Sequence, residues 1–422
     1  MPPRKAPAPL ITPEYPWSVL HTDFNETIDD LSESSIIQSS KCLAIKCPFD
    51  QLSGHGLDKC LGLCLVHSLA GGTGSGLGLR LVEEAGSDLS LPLRMCFTVA
   101  PHRYGDSPLQ AYNSLFCLAR LTQISDTIVL LHNDWLLEQL KTWHSSPNKP
   151  REERTVLPET AIDLEQMNRL ASDQMNNLLA PCRWPSLSNE LADGDESLHE
   201  IHSQPLELSH SLTALPEARI IRCVSTPTER VSVSKTFSEK LQKSSEDWAF
   251  HLDLLQHTLR QCPIDATWNL NKPGRRTGCR PLNCLMALLV YRMNQNNTAP
   301  CTIDSSQSPS GNKAHHANGS KPRVRCDIRQ LRDYLRPVSW NQEPIDQWFD
   351  KNGRTTRNSV TLAFNSCCIT EDLNCLITRA HMRWKAGAYV HWFTRFGCTQ
   401  DTFAAAFEQM KQVVDSYEQL AS

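Results

Sequence analysis

From residue 61 to about 145 the chain alternates short, nearly unbroken apolar runs with longer stretches of helical spacing. Residues 61–70 and 93–100 read as strands buried on both faces of a parallel sheet, because a run without polar alternation leaves no face for water. A further strand is expected at 127–131, and helices at 77–85, 109–122 and 135–143. Strand followed by helix, repeated, predicts α/β layering. In 163–179, Leu164, Met167, Leu170, Ala171, Met175, Leu178 and Leu179 recur at three- and four-residue steps, the apolar stripe of one long helix.

The pattern weakens on either side of this block. Residues 1–58 mix prolines, a polar stretch at 29–40 and short apolar runs such as 42–45, and are expected to be poorly ordered or loosely attached. After Pro181 a polar stretch through Asp193, Gly194, Asp195 and Glu196 predicts a surface loop, with a domain boundary near it. Residues 206–370 hold further strands and helices, among them 248–259 and 282–293. They are interrupted at 294–321 by an insert rich in Asn, Ser, Gly and Pro that is expected to be disordered. Two helices, 371–384 and 399–420, close the chain. The expected organisation is an aberrant segment 1–58, a nucleotide-type domain over 59–205, an intermediate domain over 206–370 and C-terminal helices over 371–422.

Composition narrows the function classes. With 422 residues, 40% hydrophobic, the chain can bury large cores. A net charge of -4 argues against a non-specific nucleic-acid binder, which needs a Lys/Arg surplus. The 17 cysteines are scattered among apolar residues, as reduced thiols used as small hydrophobes would be. Cys42 to Cys47 and Cys60 to Cys64 have the wrong spacing for zinc. No signal-peptide core or spanning apolar stretch is evident, so the expectation is a cytoplasmic protein without membrane insertion.

The chemistry is concentrated in Ala70-Gly71-Gly72-Thr73-Gly74-Ser75-Gly76-Leu77-Gly78, between a buried strand and a helix. Glycines reach backbone angles closed to other residues and carry no side chain, so successive N–H groups can crowd around phosphate oxygens at a helix N-terminus. Thr73 and Ser75 add hydroxyl donors. No Lys-Ser or Lys-Thr follows, which excludes a Walker A loop, and Leu77 and Leu79 stand where a dinucleotide fingerprint requires glycine. A nicotinamide-dependent oxidoreductase is disfavoured on that ground.

These residues carry a resemblance. Ala70 to Gly76 after an apolar strand resembles the signature loop with which the tubulin superfamily cradles the phosphates of GTP. It continues in order through Asp106-Ser107-Pro108-Leu109-Gln110-Ala111-Tyr112-Asn113-Ser114, Ser125-Asp126, Leu131-His132-Asn133-Asp134, the stretch 163–170, and 388–397. Gln110, the Met167-Asn168-Arg169 run, 248–261 and the ending 412–417 lean towards the delta-tubulin kind.

The resemblance implies a tubulin-like fold and GTP or GDP as cofactor, with Gly71, Gly72, Thr73, Gly74, Ser75 and Gly76 on the phosphates and Gln110 facing the ribose. It places Asn133 and Asn168 on the guanine edge and Leu164 over the base. An asparagine offers a donor and an acceptor together, which suits guanine, although Asn133 alone before a helix is also an ordinary cap. Glu207 is implied as the carboxylate that orients water on a neighbouring subunit, the alternative being a solvated surface glutamate.

Implied partners are other tubulins and centriolar proteins, in the cytoskeleton at centrioles, basal bodies and cilia, with GTP hydrolysis completed by a polymer contact. The family's opening strand with Gly-Gln-Cys-Gly-Asn-Gln, and its acidic turn that supports Mg²⁺, are not found in 1–58; the first part of the nucleotide domain is expected to be missing or aberrant. The chain stops at Ser422 without a glutamate-rich tail, so tail-dependent partners are not expected. A non-hydrolysing interaction module of the same fold is the alternative.

Overall fold

The computed structural model describes residues 41–45, 62–88, 93–102, 107–144, 163–182, 205–228, 238–239, 241, 244, 247–261, 282–293, 328–350 and 358–421. The expected disordered insert 294–321, the loop 193–196, and all of 1–58 except 41–45 lie outside them.

The strands are β1 (Lys41–Ile45), β2 (Gly62–Ser68), β3 (Arg94–Ala100), β4 (Thr127–His132), β5 (Ile220–Ser225), β6 (Cys284–Arg292), β7 (Ile345–Asp350) and β8 (Ser359–Ser366). They form one sheet in the order β1-β2-β3-β4-β5-β8-β6-β7. Neighbours from β2 to β5 are parallel, as are β6 and β7, whereas β1 on β2 and β8 between β5 and β6 are antiparallel. The fold is therefore α/β on a mixed, mainly parallel sheet.

One difference concerns Lys41–Ile45, placed by sequence in a loosely attached segment. It instead forms an antiparallel edge strand, with Leu43 opposite Cys64. A short apolar run is enough once an unpaired edge offers it a row of backbone groups. The stretch 282–293, left among strands and helices, is the strand β6; its nine residues are mostly buried, too short and too uniformly apolar for a surface helix.

A π-helical turn, Thr73–Leu77, leads from the glycine loop into α1 (Gly78–Asp88). The other helices are α2 (Gln110–Ile124), α3 (Asn133–His144), α4 (Leu164–Leu179), α5 (Pro205–Thr213), α6 (Trp248–Gln261), α7 (Arg329–Leu335), α8 (Ile369–Lys385), α9 (Val390–Thr394) and α10 (Gln400–Ala421). On one face of the sheet α3, α4 and α5 bury Leu136, Trp143, Leu170, Leu178 and Leu208 against Val66, Phe97 and Val129. On the other, α2, α8 and α10 bury Leu115, Leu373 and Phe403 around Leu65, Cys96 and Leu130. Each fully buried large side chain contributes roughly 1.5–3 kcal/mol.

The C-terminal helices are fastened by polar contacts as well. Tyr112 Oη donates to Ala388 O at 2.9 Å, and its ring meets Phe393 and Phe403 edge-on, both at 5.3 Å. Ile220 N–H donates to Tyr417 Oη at 3.0 Å. Arg222 on β5 pairs with Asp372 on α8, both buried, with the guanidinium 5.4 Å from the Trp135 ring centroid.

Candidate functional site

The site grows from the carboxyl end of β2. There the chain must turn from strand to helix, and Leu69 to Gly74 would otherwise present several carbonyl oxygens to the mouth. Side chains take them away. Ser114 Oγ donates to Leu69 O at 3.4 Å and Asn113 Nδ2 to Ala70 O at 2.9 Å. Gly71 O accepts from both Ser75 Oγ at 2.6 Å and Ser75 N–H at 3.2 Å. Gly74 O lies 3.0 Å from His67 Nδ1.

With these carbonyls turned inward, and the first N–H groups of a helix lacking partners within it, the loop presents donors outward. Backbone donors arranged in this way can hold an anion. Gly74, Ser75 and Gly76 are buried, whereas Gly71 and Thr73 are exposed at the lip.

The glycines serve here by their missing side chains. Among the described residues the glycines with positive φ are Gly387 and Gly397, and Gly72 at the loop has φ -68°. The expectation that the loop needs left-handed backbone angles is corrected: it winds straight into a π-helical turn, and what the glycines supply is close approach. A Cβ on Gly71 would meet no atom of the other described residues within 4 Å, its chain neighbours aside, so among them the space above it is open.

Two further elements add side chains. Asn133 starts α3 directly after β4, and Asn168 sits one turn into α4, on the same side as the half-exposed Leu164. Both asparagines are buried, and the Oδ1 of each has no hydrogen-bond partner among the described residues. A buried carbonyl oxygen left open costs about 1–3 kcal/mol, which a ligand donor would recover. Asp163 caps α4 by accepting Gln166 N–H at 2.8 Å, so Asn168 is not engaged in capping.

The direction of α4 follows from its far end. Cys182 lies beside Glu207, whose charge adds to burial in pushing its thiol up to about 12. Glu207 opens α5, whose Ser209 and Thr213 hydroxyls lie 2.6 and 2.7 Å from Thr127 Oγ1, at the amino end of β4. A 16-residue helix spans roughly 24 Å, so α4 begins near the carboxyl ends of the strands, with the glycine loop.

Gln110, at the start of α2, is buried and donates to His102 O at 3.4 Å. His102 follows β3, and its Nε2 is 2.7 Å from Asp134 Oδ1. Asp134 N–H donates to His132 Nδ1 at 3.3 Å. Burial, only partly opposed by Asp134, lowers the His132 pKa to about 3.

The glycine loop, Gln110, Asn133, Leu164 and Asn168 thus gather on the carboxyl-end side of the parallel strands, where open α/β sheets bind ligands. Glu207 does not: it is half-buried near the opposite ends, and one carboxylate oxygen, Oε2, is buried with no partner among the described residues. Sequence reasoning gave no role to His67, Asn113 or Ser114, although the last two stand in a quoted motif. Their donors reach carbonyls seven, 43 and 45 positions away, a relation that only the folded chain displays.

Residues 53–141 match the model of the Tubulin/FtsZ family, GTPase domain. The tubulin delta chain of Mus musculus is 24% identical over 378 residues, covering 86% of this chain and 71% of that protein. The tubulin delta chain of Homo sapiens is 25% identical over 365 residues, with coverage of 85% and 71%. The tubulin gamma chain of Saccharomyces cerevisiae is 33% identical over 125 residues, 30% of this chain and 24% of that one.

Proposed function

The chain is a tubulin-superfamily protein that resembles delta tubulin, and from that premise we propose that it is a guanine-nucleotide-binding subunit of microtubules. The observation that carries this is the pair of open, buried Oδ1 atoms of Asn133 and Asn168 on the same side of the sheet as a glycine loop whose Leu69, Ala70, Gly71 and Gly74 carbonyls are engaged by side chains. In this proposal Gly71 to Gly76 hold the phosphates, Gln110 faces the ribose, the two asparagines take the guanine N–H and amino donors, and Leu164 covers the base. Adenine offers a different donor and acceptor order on that edge and would leave one asparagine oxygen without a donor.

The partners proposed are other tubulins, in longitudinal and lateral contact, with centriolar proteins around them. The place proposed is the microtubules of centrioles, basal bodies and cilia. Residues 206–370 serve as the intermediate domain and 371–422 as the outer helices. Glu207, at the end of the molecule remote from its own glycine loop, is proposed to reach the nucleotide of the next subunit and orient water there. The family implies Mg²⁺, but among the described residues no group of three or more His, Cys, Asp or Glu is arranged to hold a metal, and Mg²⁺ takes no part in the proposed chemistry.

A second reading, binding without hydrolysis, is favoured by the half-burial of Glu207, which must leave its place beside Cys182 to act. Calorimetric titration with GTP, GDP and ATP tests the binding claim: the guanine nucleotides are expected to bind at least about tenfold more tightly than ATP. Equal affinity for ATP would refute the assignment of the two asparagines. GTP turnover with and without a tubulin partner then separates the two readings.

A further inference from the structure

His67 is wholly buried, and the nucleotide-binding scheme gives it no task. Its ring nevertheless joins two elements. Nδ1 is 3.0 Å from Gly74 O, and Nε2 is 3.0 Å from Thr98 Oγ1 on the neighbouring strand β3. A carbonyl oxygen only accepts, so Nδ1 carries the proton; Nε2 is then a bare lone pair to which the Thr98 hydroxyl donates. One neutral tautomer is specified from both sides. Burial supports it, lowering the ring's pKa to about 4.

The consequence lies in the Gly74–Ser75 peptide, whose C=O and N–H point in opposite directions. With the oxygen held by His67, the Ser75 N–H reaches Gly71 O at 3.2 Å. Turned over, the same peptide would put a carbonyl oxygen into the mouth, facing phosphate oxygens, and would release Gly71 O from that bond as well. A glycine has no side chain to resist such a turn. A leucine at 67 would fill the same space but leave Gly74 O buried and unpaired, with turning outward as its relief.

We infer that His67 is a positioning residue for the phosphate loop: its Nδ1–H, fixed by Thr98, keeps the Gly74 carbonyl inside the protein so that the mouth presents donors to the anion, a role that rests on the nucleotide reading above. The proton donor is what matters, and the imidazole's ability to titrate is not used.

The test titrates N-methylanthraniloyl-GTP into the full chain as wild type, His67→Leu and His67→Asn, with thermal melts beside each titration. Asparagine branches at the same atom and offers an N–H close to the Nδ1 position. His67→Leu is expected to weaken binding about tenfold or more, and His67→Asn to stay within about threefold of wild type. Equal binding by wild type and His67→Leu overturns the inference, as does equal loss in both variants, which would mean that ring packing alone matters.

¹⁵N NMR of the histidines gives a second readout that does not depend on nucleotide or on variants. Wild type is expected to show a pyrrole-type Nδ1 and a pyridine-type Nε2 for His67; the opposite tautomer, or a charged ring at neutral pH, overturns the inference. A wild type that folds with the expected tautomer but binds no probe instead sinks the nucleotide reading, and the positioning role with it.

Discussion

The two ends of the parallel strands treat polar groups in opposite ways. At the amino ends they close on one another: Arg94 N–H donates to Asp126 Oδ2 at 2.7 Å, Thr127 Oγ1 joins Ser209 and Thr213, and Arg219 Nη1 donates to Ser125 O at 2.5 Å. At the carboxyl ends the carbonyls are pulled away from a mouth towards which helix N–H groups are left, and two asparagine oxygens stay open. Buried polar atoms are almost always paired, so a closed set reads as structure and an open set around a glycine loop reads as a ligand's place. Glu207 Oε2 departs from this rule at the amino-end side, and the role proposed for it towards a neighbouring subunit would account for the departure.

The contrast is broken most severely at Gly74. Gly74→Val puts a branched side chain into a buried turn, and guanine-nucleotide retention is expected to fall more than about 100-fold, with about 1–3 kcal/mol of stability lost to crowding. Gly71→Val separates the two effects, since among the described residues nothing beyond its chain neighbours lies within 4 Å of a Cβ there: binding falls while the melting temperature holds. Nucleotide affinity and thermal melts on both variants are the measurements.

Acid tests the buried histidines behind the mouth. His67 and His132 have folded pKa values of about 4 and about 3, below the ordinary 6.5, so the unfolded chain binds more protons as pH falls through 6.5. Stability is therefore full above pH 6.5 and declines towards pH 4. Each ring removes up to about 1.4 kcal/mol per pH unit, roughly 3 kcal/mol by pH 4 for His67. Urea midpoints compared between pH 7 and pH 5 should show the decline, and His67→Asn should show a shallower one.

Asn168→Leu sharpens the comparison from the ligand's side. Removing an open buried polar atom should leave stability unchanged or slightly raised, while GTP affinity drops about 10- to 100-fold. At the closed end the signs reverse: Thr127→Val strips a hydroxyl from a satisfied trio, costing about 1–2 kcal/mol by denaturant titration with GTP affinity unaltered. The smallest effect in the isolated chain belongs to Glu207→Gln, which should leave nucleotide affinity within about twofold and lower turnover only when a tubulin partner is present.

Much of the frame was legible in the chain itself. The apolar run 61–70 contains β2, the stretch 109–122 overlaps α2 almost throughout, and the stripe from Leu164 to Leu179 is α4, because continuous burial and helical spacing each leave a periodic mark. What was not legible depends on partners distant in sequence. No local pattern says that Asn113 will reach back to Ala70, that Thr98 will fix the His67 tautomer, or that 41–45 will pair with β2 in antiparallel register. The loop glycines stood out in the sequence, but their ordinary φ values show that steric room rather than unusual backbone angles is their contribution.

The most direct measurement is the chromatographic identification of whatever acid releases from the full chain, purified without added nucleotide, beside the same chain carrying Asn168→Leu. The account predicts GTP or GDP in stoichiometric amount from the first and a strongly reduced amount from the second. A well-folded wild type that releases no guanine nucleotide, or a variant that releases as much as wild type, would contradict it.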